Sequence, residues 1–148
     1  MGSDHAGFTL KNEIFNYLKS NQIEVIDMGC YSSESVDYPD YAEKVCQKVQ
    51  QGDALGILVC YTGIGMSITA NKFHGIRAAL VSRVDDAKLT REHNNANVLC
   101  LSEKNTSFND SKEIVDTFLS TKFLGETKDG SRHLRRVSKI ERIDNENK

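Results

Sequence analysis

The stretch Cys60-Tyr61-Thr62-Gly63-Ile64-Gly65 holds a thiol, a hydroxyl and two glycines within six residues, directly after the apolar run Leu55 to Val59. A thiolate can take a proton from carbon where amide donors and cations stabilise its charge. A loop with two glycines lets backbone N–H groups approach an anion without interference from Cβ atoms. Asp4 and His5 offer a carboxylate and an imidazole, and His93-Asn94 offers a second imidazole beside an amide. Histidine is the side chain best suited to moving protons near neutral pH. Arg132 and Arg136 stand four apart, so on a helix they share a face and form a fork for phosphate or carboxylate, with His133 and Arg135 adding to the basic cluster. Together these residues favour proton transfer on a small anionic ligand. Each also has a plainer use: Cys60 as a small core hydrophobe, His93 as a solvated helix end, the arginines as a basic face paired with Glu141. His74 has no partner pattern and reads as surface.

The elements that must position these groups alternate along the chain. Leu10, Ile14 and Leu18 mark an amphipathic helix ending near Asn21, and Glu24 to Met28 reads as a short strand stopped by Gly29. A polar loop from Tyr31 to Asp40 with the one proline, Pro39, feeds a helix carrying Tyr41, Val45 and Val49 that closes at Gln51-Gly52-Asp53. The thiol-bearing strand follows, then a helix from Gly65 to Phe73, a strand from Arg77 to Val81, a helix from Asp85 to Asn94 and a strand from Asn97 to Leu101. Helices from Asn109 to Phe123 and from Ser131 to Asp144 complete the pattern, with Asp144 to Lys148 expected to fray. Such alternation predicts an α/β fold: a three-layer, doubly wound parallel sheet flanked by helices. In that fold, ligands sit outside the carboxyl ends of the strands, which places Asp4 and His5, Cys60 and Thr62, and then His93-Asn94 near one sheet edge. The dinucleotide fingerprint is excluded, because its third glycine would fall at Ile68 and its loop follows a first strand.

With 148 residues, 39% hydrophobic and 27% charged, the chain fits a single domain spanning 1–148. A net charge of −2 without a long basic block gives no support to nucleic-acid or membrane binding, and the N-terminus lacks a signal-peptide pattern, so the expected location is cytoplasmic. Cys30, Cys46, Cys60 and Cys100 include no Cys-x-x-Cys pair, which argues for free thiols over zinc or disulfides.

Several pieces, in their order, resemble the type B ribose-5-phosphate isomerases: Gly2-Ser3-Asp4-His5-Ala6-Gly7-Phe8 with Lys11, Asp37-Tyr38-Pro39, Cys60-Tyr61-Thr62-Gly63-Ile64-Gly65, Ala70-Asn71-Lys72, Gly75-Ile76-Arg77-Ala78, His93-Asn94, Asn97-Val98, and Arg132-His133 with Arg136. The related galactose-6-phosphate isomerase subunits share much of this pattern. The resemblance implies a Rossmann-like fold and a metal-independent, cofactor-free aldose–ketose isomerase of carbohydrate metabolism. It would interconvert ribose 5-phosphate and ribulose 5-phosphate, as in the pentose phosphate pathway, through an enediolate. It implies that Cys60 is the base, that His93 opens the furanose ring, and that Asp4, His5 and Asn94 hold the sugar. The amides of Tyr61, Thr62, Gly63, Ile64 and Gly65 would form an anion hole, with Thr62 donating to the reacting oxygens, and Arg132 and Arg136 would take the phosphate. It also implies a homodimer or dimer of dimers, with sites shared between subunits and the C-terminal helix in the contacts. One branch of the family uses a glutamate base at the place of Met66, so this chain is similar to the cysteine branch.

Three departures stand out. The strand that the family carries before Gly2-Ser3-Asp4-His5 is missing, so the first strand reads as truncated, which should leave its neighbours without ladder partners and open the core; either the sequence is truncated at its start or the protein is compromised as a catalyst. Lys104 stands where the family often has a phosphate-binding arginine, and Tyr61 replaces a small residue. The alternatives are an isomerase of six-carbon sugar phosphates such as allose or galactose 6-phosphate, or a non-catalytic phosphosugar-binding relative. A receiver-type signalling domain would need an acidic residue where Cys60 stands.

Overall fold

A computed structural model describes residues 1–148. Four parallel strands form one sheet: β1 (Gly2–Ser3), β2 (Gly56–Cys60), β3 (Ala78–Leu80) and β4 (Val98–Ser102), in the order β1-β2-β4-β3. Six helices accompany them: α1 (Phe8–Ser20), α2 (Tyr38–Gln50), α3 (Ile64–Ala70), α4 (Val84–Asn94), α5 (Phe108–Ser120) and α6 (Ser131–Glu146). The expected doubly wound, three-layer α/β architecture is present.

Side-chain alternation divides the core in two. Ile57 and Val59 of β2, with Leu99 and Leu101 of β4, face Leu10, Ile14 and Leu18 of α1 and Ile114, Val115 and Phe118 of α5. Leu58 and Cys60, with Val98 and Cys100, face the other way, onto Ala42, Val45, Cys46 and Val49 of α2 and Met66 and Ala70 of α3. This period of two along β2 and β4, both wholly buried, is what a sheet covered on each face requires. The chain leaves β1 for α1 on one face and leaves β2 for α3 on the other. The sheet's switch point therefore lies between β1 and β2, where the fold opens a crevice at the strands' carboxyl ends.

Three expectations need correction. Glu24 to Met28 is extended but is not a regular strand. Met28 N–H donates to Met1 O (2.8 Å), Ser3 N–H to Gly29 O (2.7 Å) and Cys30 N–H to Ser3 O (2.9 Å). β1 is only two residues long, and Gly29 turns at φ +98°, so the ladder cannot propagate. The short first strand does not leave β2 without a partner, because Gly2 pairs with Leu58 and Ser3 with Val59. An apolar cavity of about 460 Å³ lies beside Met1, between Ile23–Ile26 and Leu55. Finally, the last turn of α6 is ordered helix, with Asp144 accepting from Gly75 N–H at 2.7 Å and pairing with His74 at 2.8 Å, so His74 has a partner after all.

No helix is long and apolar enough to cross a membrane.

Candidate active site

Cys60 ends β2 on the α2–α3 face, and Gly63 folds the following loop back over it. The φ of Gly63 is +76°, a conformation an L side chain rarely adopts, and this turn brings its N–H to 3.1 Å from Cys60 Sγ. A donor at that distance stabilises negative charge on the sulphur. The other amides divide their roles. Ile64 N–H donates to Thr62 Oγ1 at 3.3 Å, whereas those of Tyr61, Thr62 and Gly65 donate to nothing within the protein. Of the five amides expected to line an anion hole, two are thus engaged internally and three remain for a ligand.

The β1 loop meets this one across the crevice. Asp4 N–H donates to Val59 O at 3.3 Å, and a Cβ on Gly7 would stand 2.3 Å from that same oxygen, so the start of α1 sits directly on the end of β2. Only glycine permits that approach. Asp4 is buried and its Oδ1 caps Gly7 N–H at 2.9 Å. His5 Nδ1 accepts from Val36 N–H at 3.1 Å, so the neutral ring carries its proton on Nε2, the nitrogen left for a ligand. The Tyr38 ring walls the loop, since a Cβ on Gly65 would come within 2.7 Å of it.

Lys104 belongs to this same half. Its N–H donates to Tyr61 O at 2.9 Å, and its ammonium lies 5.9 Å from the Tyr61 ring centroid. It makes no ion pair.

His93 and Asn94 do not join that cluster, contrary to the sequence expectation. They end α4, and a helix that returns antiparallel to the strands ends at their amino edge. Asn97, three residues on, accepts from Gly56 N–H at 2.9 Å where β2 begins. Cys60 pairs with Ser102 at the far end of β4, a strand length of about 13 Å away. The expected place of His93 at the strands' carboxyl edge fails because α4 carries it back to the opposite edge.

A second cluster forms there instead. The His93 ring stacks on that of His133, with centroids 4.2 Å apart and planes 9° from parallel. Arg132 and Arg136 flank His133 on α6 and are exposed, while Glu141, their expected partner, reaches Arg77 at 3.7 Å. Burial first, then the charges of Arg132, His93 and Arg136, hold the His133 imidazolium below the ordinary histidine range, against a smaller opposing effect of Glu92. The sequence signal for His133 was its place four residues before buried Val137, on the inward stripe of α6. The chain therefore carries two separate clusters: a thiol loop with amides, and an imidazole stack with two guanidiniums. No group of three or more His, Cys, Asp or Glu side chains is placed to hold a metal ion.

The family described as Ribose/Galactose Isomerase matches residues 1–140. The chain is a member of that family. Within it, the Escherichia coli protein named ribose-5-phosphate isomerase B is 44% identical over 144 residues, covering 97% of this chain and 93% of that protein. The solved structure of the Clostridium thermocellum ribose-5-phosphate isomerase B superposes with a TM-score of 0.93 at 45% identity, covering 99% of this chain and 97% of its own. That of the Mycoplasma genitalium enzyme, solved with bound ribulose-5-phosphate, superposes with a TM-score of 0.90 at 44% identity, covering 98% and 94%. The ribose/galactose isomerase fold thus extends over essentially the whole chain.

Proposed function

We propose that the protein is an aldose–ketose isomerase interconverting ribose 5-phosphate and ribulose 5-phosphate in the cytoplasm, as a single 1–148 domain acting in a homo-oligomer. The observation that carries the reading is Gly63 N–H on Cys60 Sγ at 3.1 Å, beside amides with no partner in the protein, in a member of this family.

The geometry suggests the following chemistry. Cys60, its charge stabilised by Gly63, takes the proton from the carbon next to the carbonyl and returns it to the neighbouring carbon. The enediolate oxygens carry the growing charge, and the amides of Tyr61, Thr62 and Gly65 with the Thr62 hydroxyl are donors set in place for them before reaction. Asp4, His5 and Asn94 hold the sugar hydroxyls. His93 opens the ring, and Lys104, Arg132 and Arg136 take the phosphate. These steps need neither a metal nor a cofactor.

A single chain cannot place His93 and Cys60 on one sugar, because they lie at opposite edges of the sheet. A second copy supplies the missing half. Exposed apolar side chains on α3, β3 and α6, including Ile68, Leu80, Ile140 and Ile143, give such a copy a surface to cover.

The test is a coupled assay on ribose 5-phosphate with wild type and Cys60→Ala. The variant is expected to lose about 10²- to 10⁴-fold in kcat, the range of a lost general base, while still binding the substrate. Turnover of allose or galactose 6-phosphate with none of the pentose would instead favour the six-carbon reading. A wild type that binds without turnover would favour the non-catalytic one.

A further inference from the structure

We propose that the Tyr61 ring is a positioning residue that holds the Lys104 ammonium beside the thiol-bearing loop, ready for the phosphate of the substrate. This rests on the isomerase reading, and it assigns a task to a side chain whose backbone alone has been used so far.

Both residues are stapled at their roots. Tyr61 O accepts from Lys104 N–H at 2.9 Å and from Ser102 Oγ–H at 2.8 Å, and Cys60 O accepts from Glu103 N–H at 3.0 Å. The backbone of Lys104 is therefore fixed relative to the thiol. Its side chain is not fixed by any carboxylate, because Lys104 is exposed and has no ion-pair partner. A lysine stem left alone keeps its rotamer freedom, and ordering it on binding costs affinity. The one restraint present is aromatic: the ammonium lies 5.9 Å from the centroid of the Tyr61 ring. That is within the reach of a cation–π attraction. Tyr61 is 56% exposed and lies outside both buried clusters, so core packing does not explain a large aromatic there. With the ring as a rest, the ammonium is held near the loop before the anion arrives. The guanidiniums of a second copy can then close on the phosphate from the other side.

The experiment compares wild type, Tyr61→Leu, Tyr61→Phe, Lys104→Met and the Tyr61→Leu/Lys104→Met double variant. KM and kcat for ribose 5-phosphate are measured, and the affinity for inorganic phosphate is read by calorimetry. Tyr61→Leu is expected to raise KM and to weaken phosphate binding together by about two- to fivefold, the size of an exposed cation–π contact, with the loss in KM rather than kcat. Tyr61→Phe, which keeps the ring, recovers that affinity. In the Lys104→Met background, Tyr61→Leu adds nothing. Phosphate affinity unchanged by Tyr61→Leu, a Phe variant behaving like the Leu one, or additive losses in the double variant would each overturn the proposal. A wild type that fails to turn over ribose 5-phosphate refutes the isomerase reading, and the calorimetric series still decides the role of the ring.

Discussion

His133 is nearly sealed from solvent, 4% exposed, with its ring against His93 and two guanidiniums on its own helix, so a proton added to it meets burial and three like-charged neighbours. Its folded-state value is lowered from the ordinary 6.5, with Glu92 the one group opposing the shift. The sign of the consequence follows from proton linkage. Below pH 6.5 the unfolded chain binds a proton here that the folded chain resists, so the stabilisation is complete above that pH and is lost as pH falls below it. Wild-type melting temperature should therefore drop more steeply from pH 7 to pH 5 than that of His133→Asn. Parallel curves for the two proteins would remove His133 from the account. The sequence made Cys60, His93 and the arginine pair visible as chemistry because each has a reactive type and a telling spacing. It did not reveal the imidazole stack, because a ring-on-ring contact between α4 and α6 joins residues forty positions apart with no local trace.

Between residue and fold stands the turn from β2 into α3. Strand, Gly-x-Gly loop and helix were all legible there, since an apolar run, two glycines and a helix-compatible stretch follow one another directly. What could not be read was which amides the turn leaves open, because that depends on Gly63 reaching back to its own strand. Gly63→Ala tests that turn. The new Cβ would strain a φ of +76° and would stand 2.4 Å from Leu80 Cδ1 and 3.1 Å from the Leu101 backbone. A loss of about 1–3 kcal/mol in stability is expected by chemical denaturation, and kcat should fall by about tenfold or more as the amide moves off the sulphur. Gly75→Ala is the control: its φ of +75° is similarly strained, but a Cβ there meets nothing within 4 Å, so it should cost stability alone. Equal kinetics for the two variants would detach the turn from catalysis. The misread strand at Glu24–Met28 has a related cause. Its composition suits a strand, but a regular ladder also depends on its partner, and β1 offers two residues.

At the scale of the molecule, the sequence's error about His93 becomes the argument for assembly. Strands and helices of a parallel fold run in opposite senses, so residues at a strand's end and at a helix's end lie at opposite edges, however near they are in sequence. On the proposed reading, the thiol loop and the guanidinium pair would meet only between copies, and each dimer would hold two composite sites. This can be read directly by mixing two defective proteins. On the proposed roles, Cys60→Ala would lack the base but keep His93 and both arginines, while Arg132→Ala/Arg136→Ala would lack the phosphate fork but keep the thiol. Refolded together in equal amounts, half of the dimers are mixed, and in each of those one site collects both defects while the other collects none. Activity at low ribose 5-phosphate should rise to about a quarter of wild type per subunit, well above the sum of the two parents. If each chain built its whole site from its own residues, no intact site would arise on mixing, and activity would stay at the average of the parents.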